Sequence, residues 1–240
     1  MESTVRFEKK SVRMIAHRGL SGIEPENTAL AFTAAANRTY FGIETDIHRT
    51  ADGGFILTHD DNTSRVSGVD CIVEETDLAT LRTIPLLGRD KNERENVRFP
   101  SLQEYIGICK RYGKVAVLEL KNQMKRENIA SIVEQIRESD YLDGVIFISF
   151  YPDNLIFLRS LLPDQAAQFL YQHPVNDEVM ALLRAHRLDL DIYYKSLTKE
   201  TLDALHAEGF KVNVWTVDDP ERARELAEWG VDFITSNILE

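Results

Sequence analysis

The sequence predicts a TIM-type (β/α)8 barrel, and three observations predict it. Eight short runs of β-branched and apolar residues recur along the 240 residues. Stretches with helical periodicity separate them, with capping residues where a helix would start and glycine where it would stop. Strand and helix alternate through short connections, the pattern of parallel strands joined by right-handed crossovers. A chain of this length commonly forms one such barrel and buries enough surface to need no disulfide or metal for folding.

The first strand is expected at 12–16 ("VRMIA"). The helix after it begins in "ENTALAF", with Asn27 as its expected cap. The second strand, 42–47 ("GIETDI"), continues into a β-extension, "GGFILTHD". Most strand starts lie roughly 20–30 residues apart, but the second and third are separated by about 70. The excess, a polar and charged stretch at about 60–98, reads as a small insertion. Next, "SLQEYIGICKR" places Leu102, Tyr105, Ile106 and Cys109 on one helical face, with Ser101 and Glu104 at capping-box spacing. Gly113 leads into the third strand, 114–120. The fourth, fifth and sixth follow at 144–149, 167–171 and 190–194, and Gly209 precedes the seventh at 211–215. In "DPERARELAEWG", Asp219 is the expected N-cap, Pro220 the first helical residue and Gly230 the stop. The eighth strand, 231–235, lies so close to the last residue that the eighth helix should be short or missing. The N-terminal segment or the insertion is expected to cover that end. Residues 1–240 therefore read as a single barrel domain.

The net charge of −11 argues against a nucleic-acid partner, which binds mainly through lysine and arginine. A phosphate-bearing substrate remains open, because one local positive cluster is enough to hold it. Cys71 and Cys109 have no metal-ligand spacing and are expected to be reduced. The first residues, "MESTVRFEKKSVRM", lack the apolar core of a signal peptide, and no run of about 18 apolar residues occurs. These features lead to the expectation of a soluble, cytoplasmic protein without stable membrane insertion.

In a barrel of this type the functional face lies at the C-terminal ends of the strands. The first strand ends at His17 and Arg18, the second carries Glu44 and Asp46, and the extension ends at His59 and Asp60. The third strand carries Glu119 and Lys121. Glu44 and Asp46 are two residues apart and share a face, opposite Ile43, Thr45 and Ile47. Glu119 and Lys121 likewise oppose Leu118 and Leu120. The apolar sets should face the helices and the charged sets the barrel interior. Any one such residue reads equally well as a solvated strand end or half of a salt bridge. Together they do not, because burying each costs several kcal/mol unless it is paired. Three converging carboxylates call for a hard divalent cation, and an all-oxygen ligand set points to Mg²⁺ or Ca²⁺.

"AHRG", "PENT", "GIETDIHRTADGGFILTHD" and "LELK" together resemble the glycerophosphodiester phosphodiesterase family, whose pattern is HR, then E-x-D, then a second H. Later stretches are similar as well: "FPSLQEYI", the "ISF" ending at Phe150, "VNVWTVD" and "GVDFITSN". "HDDNTSRVSG" departs by lacking an apolar residue after HD, and "ITSN" stands where the family commonly has an Asp and a Pro. The short or missing last helix is a third departure, and all three are expected to touch the substrate rim more than the chemistry.

The resemblance implies metal-dependent hydrolysis of a small-molecule glycerophosphodiester to glycerol 3-phosphate and an alcohol. Glu44, Asp46 and Glu119 would hold the metal, and His17 and His59 would transfer protons. Arg18 would clamp a phosphate oxygen and Lys121 would add a point charge. Trp215 and Phe150 would wall the glycerol carbons, Glu26 would brace the loop, and the helix beginning at "PENT" would help to position the anion. Two alternatives are a related phosphodiesterase acting on lysophospholipid or inositol head groups, and a non-catalytic barrel that binds a cation or phosphate.

Overall fold

The computed structural model describes residues 3–240. Its strands are β1 (Arg13–Ala16), β2 (Gly42–Arg49), β3 (Phe55–Leu57), β4 (Leu86–Leu87), β5 (Glu93–Arg94), β6 (Val115–Leu120), β7 (Val145–Ser149), β8 (Ala167–Tyr171), β9 (Asp189–Tyr193), β10 (Val212–Trp215) and β11 (Phe233–Ser236). Eight of them, β1, β2 and β6 to β11, pair in parallel, and β1 meets both β2 and β11, so the barrel closes. These eight are the runs predicted from the sequence. β3 folds back antiparallel on β2, with Ile47 opposite Leu57, and is the expected β-extension.

The helices are α1 (Ala29–Ala36), α2 (Ser64–Ser67), α3 (Leu78–Leu81), α4 (Leu102–Tyr112), α5 (Arg126–Glu138), α6 (Pro152–Leu161), α7 (Asp177–His186), α8 (Lys199–Ala207) and α9 (Pro220–Trp229). Among the described residues no helix follows β11. The N-terminal segment covers that end instead: Val5 bridges Leu239, and the Glu240 amide donates to the Val5 carbonyl at 2.9 Å.

Local chemistry explains most boundaries. Ser101 and Glu104 form a complete capping box on α4, and Gly113 ends that helix in the left-handed region. Asp219 caps α9, Pro220 opens it and Gly230, at φ 93°, closes it. Asn27 does not cap α1 as expected. Thr28 does, with extended backbone and its side chain accepting from the Ala31 amide, while Asn27 sits at φ 52° with its side chain turned toward β2. Two adjacent residues of capping type compete, and the buried partner of Asn27 decides between them.

The period-2 alternation sorts the barrel residues as predicted. Ile43, Ile47, Leu118 and Leu120 pack outward in the main core against the helices. Ile15, Val117, Ile148, Leu170 and Phe233 form a separate cluster that plugs the barrel interior. Residues 60–98 are not uniformly polar in use: Val73, Leu81, Ile84 and Leu86 pack with Ile56 of β3 and with Phe99 into a small core of their own. None of the helices described is long and apolar enough to cross a membrane.

Candidate active site

The interior plug ends below the C-terminal rim, and polar residues take over there. Register fixes Glu44, Asp46 and Glu119: β2 and β6 pair so that Asp46 lies opposite Glu119. One oxygen from each of the three carboxylates lies within 4.8 Å of the others, and all three residues are buried. Burial, reinforced by the charges of Asp46 and Glu119, pushes the Glu44 carboxyl well above its usual range. Burial and Asp46 likewise raise Glu119, to about 8, against the pull of Lys121. Burial would raise Asp46 too, but Arg18 and Lys121 overrule it and hold this carboxyl low. The Lys121 ammonium is 3.0 Å from Glu119 Oε1 and 3.6 Å from Asp46 Oδ1. Asp46 Oδ1 is buried without a hydrogen-bond partner. Clustered carboxylates, one of them with an orphaned oxygen, form a donor set that fits a hard divalent cation.

Arg18 turns through the left-handed region at φ 53°, which aims its backbone amide at Glu44 Oε2, 2.7 Å away. Its guanidinium donates to Glu26 Oε1 at 2.8 Å, and its Nε lies 3.6 Å from Asp46 Oδ2. Asn27 donates to the same Asp46 oxygen at 2.8 Å and accepts from the Thr45 hydroxyl. "PENT" thus braces a metal-ligand candidate from behind. No residue of the first turn of α1 lines the site cavity, so that helix N-terminus is not brought to the place where the anion was expected.

His17 is held by a chain of acceptors and donors. The Asp218 carboxylate can only accept, so Asn237 presents its amide nitrogen to it, at 2.6 Å. The Asn237 oxygen then faces His17 Nδ1 at 2.8 Å. Nδ1 therefore carries the proton, and Nε2 offers a lone pair 4.0 Å from Glu44 Oε2. Burial, with Arg18 alongside, lowers the imidazole to about 4. His59 Nδ1 instead contacts a carboxylate, Asp60 Oδ1, at 2.7 Å. Burial lowers this imidazole as well, while Asp46 and Asp60 oppose the shift. From α2, Arg65 donates to Asp60 Oδ2 at 2.5 Å and to both Glu26 oxygens at 2.7 and 2.8 Å.

These groups surround a cavity of about 60 Å³. His17, Arg18, Glu44, His59 and Glu119 line one side; Ile148, Phe150, Leu170 and Trp215 line the other. The Phe150 and Trp215 rings stand perpendicular with centroids 5.5 Å apart. Asp46 and Lys121 sit just behind this lining, in contact with it through Arg18 and Glu119.

Residues 17–239 match the glycerophosphoryl diester phosphodiesterase family. The chain belongs to that family. A glycerophosphodiester phosphodiesterase of Bacillus altitudinis is 27% identical over 231 residues, 94% of each chain. The structure of an Oleispira antarctica phosphodiesterase in complex with the product sn-glycerol-3-phosphate is 27% identical, with a TM-score of 0.86 over 94% of this chain and 93% of that one. A Silicibacter pomeroyi structure at 24% identity shares the fold, with a TM-score of 0.87 over 97% and 92% of the two chains.

Within this phosphodiesterase fold, all nine site residues predicted from the sequence gather at one rim. Several contributors escaped the sequence reading. Asn237 lies in "ITSN", a departure expected to touch the rim more than the chemistry, yet its side chain bonds His17. Arg65 lies in another departure, "HDDNTSRVSG", and ties Glu26 to Asp60. Asp191 lines the apolar side of the cavity. Its only sequence signal is alternation with Asp189 in "LDLDIYY", the same spacing as Glu44 and Asp46.

Proposed function

We propose that this chain hydrolyses glycerophosphodiesters to glycerol 3-phosphate and a small alcohol, as a single catalytic barrel with a small insertion. The observation that carries the reading is the meeting of a buried carboxylate triad, two histidines and an arginine around one cavity. Family membership and the product-bound relative support it.

Glu44, Asp46 and Glu119 would hold Mg²⁺ or Ca²⁺, which supplies Lewis-acid stabilisation of charge on a phosphate oxygen when bound. Arg18 is oriented by Glu26 and Asp46 to offer its guanidinium to a second phosphate oxygen. Lys121 offsets the negative charge of the triad. His17, fixed with Nδ1 protonated against a neutral amide, offers the Nε2 lone pair as general base. His59, backed by the Asp60 carboxylate, is the better holder of positive charge and serves as general acid toward the leaving alkoxide. Trp215 and Phe150 face the carbon skeleton. The two unpaired cysteines fit a cytoplasmic location.

The test is a coupled assay for glycerol 3-phosphate release from several glycerophosphodiesters, before and after chelation, with Mg²⁺ or Ca²⁺ added back. Release that falls with EDTA and returns with one of the two ions is expected. Undiminished release after thorough chelation would remove the metal assignment, and no release from any glycerophosphodiester would remove the substrate class.

A further inference from the structure

Beside the apolar residues Ile148, Leu170 and Trp215, the cavity is lined by a buried carboxyl. Asp191, on β9, is 2% exposed, and its Oδ1 has no hydrogen-bond partner. It lines the cavity among Ile148, Leu170 and Trp215. The neighbouring indole is locked beside it, because Trp215 Nε1 donates to the Asp191 carbonyl at 3.2 Å. The carboxyl is not one of the three that cluster for a cation. A leucine at this position would extend the interior plug without the cost of a buried, half-satisfied carboxyl, so stability does not account for it.

We propose that Asp191 is a specificity-determining residue that bonds a hydroxyl of the glycerol moiety through Oδ1, while the glycerol carbons lie against Trp215. This rests on the glycerophosphodiester reading above. A hydroxyl is the group that suits the position: it donates to an ionised carboxyl and accepts from a neutral one, so it satisfies Oδ1 in either state. A quaternary ammonium head group could pair only with the ionised form, and burial, with Glu119 nearby, pushes Asp191 well above the usual carboxylate range. A bare alkyl chain would leave Oδ1 orphaned. A site built around such a bond therefore rejects the analogue that lacks the hydroxyl.

The experiment compares sn-glycerol 3-phosphate, propyl phosphate and phosphocholine as competitive inhibitors of wild type, Asp191→Ala and Asp191→Asn. Wild type should bind glycerol 3-phosphate more tightly than propyl phosphate by about tenfold or more. Asp191→Ala should bring that ratio close to one, chiefly by weakening glycerol 3-phosphate. Asp191→Asn, which keeps a polar atom in place, should fall between them and provides the reading if the alanine variant does not fold. A ratio unchanged in the variants overturns the proposal, as does a loss confined to phosphocholine, which would give Asp191 to the head group. Either result leaves the hydrolase reading intact. Wild type that releases no glycerol 3-phosphate from any diester defeats both, and is told apart by that assay alone.

Discussion

Barrel and insertion contribute to the same site from unequal supports. Glu44, Asp46 and Glu119 project from β2 and β6, strands paired on both sides and backed by the main core. Asp60 and Arg65 come from a turn and the four-residue α2, whose apolar support is the small cluster around Val73 and Phe99. Arg65 is 44% exposed, whereas Asp46 is 1% exposed. The groups that must converge despite mutual repulsion sit where register leaves them no alternative. Asp60 and Arg65, which orient His59, sit on the more exposed insertion, whereas His17 is oriented from the barrel end by Asn237. Cation holding by the barrel strands and the orientation of His59 by the insertion should thus separate under mutation.

The sharpest break comes from the barrel. Asp46→Asn keeps the shape but removes the charge that balances Arg18 and Lys121. Turnover should fall about 10²–10³-fold, the range for loss of a preorganised electrostatic group. The rise in melting temperature on adding Mg²⁺ or Ca²⁺ should disappear with it. A variant that loses activity yet keeps the metal-induced shift would put the cation elsewhere.

The histidines come next. His17→Ala and His59→Ala should each cost roughly 10²–10⁴-fold in kcat, with the metal-induced melting shift retained. Asn237→Leu leaves His17 in place without its Nδ1 acceptor and should cost about 10–100-fold, as loss of an orienting partner does. If Asn237→Leu matches wild type in kcat, the tautomer is set by something other than the Asp218–Asn237 chain.

The same division explains what could be read from the sequence. Barrel strands announce themselves by alternation, and the carboxylates were visible because one strand places Glu44 and Asp46 on one face. His17 and His59 stand out among the six histidines by their places at strand ends and in the family's pattern. Asn237 does not, because its meaning lies in a contact with His17 across 220 positions of sequence. Arg65 lay hidden in a charged stretch whose ion pairs with Glu26 and Asp60 depend on how the insertion folds back. Asn27 reads locally as a cap because its neighbour Thr28 has the same chemistry, and only the buried Asp46 separates their roles. Local pattern reveals what strands and helices do locally; the partners that tune a site come from chain closure.

Arg65→Ala tests the insertion directly and should act more mildly. It frees Asp60 and Glu26 without touching the triad, so kcat should fall about 10-fold while metal affinity stays near wild type. Arg65→Lys can pair with one carboxylate but not bridge both, and should recover only part of the loss. Equal losses in kcat and in metal affinity would mean that the insertion also shapes the cation site.

The smallest effect is expected in acid, and its sign follows from Glu26. Burial would raise this carboxyl, but the hydrogen bonds of Arg65 and the charge of Arg18 overcome it and hold it at about 2, against 4.5 in the unfolded chain. A folded-state pKa below the unfolded one stabilises fully above the unfolded value, and that stability is lost as pH falls from about 4.5 toward 2. Between neutral pH and about pH 5 this group should therefore leave the melting temperature unchanged, with the decline beginning below that. Arg65→Ala removes the strongest partner opposing burial, so Glu26 should rise toward its ordinary value. The variant should then begin less stable at neutral pH and lose less on acidification, so that the two melting curves against pH converge at the acid end. Parallel curves would show that Arg65 does not hold Glu26 in solution, and the bridge between insertion and barrel would lose its energetic meaning.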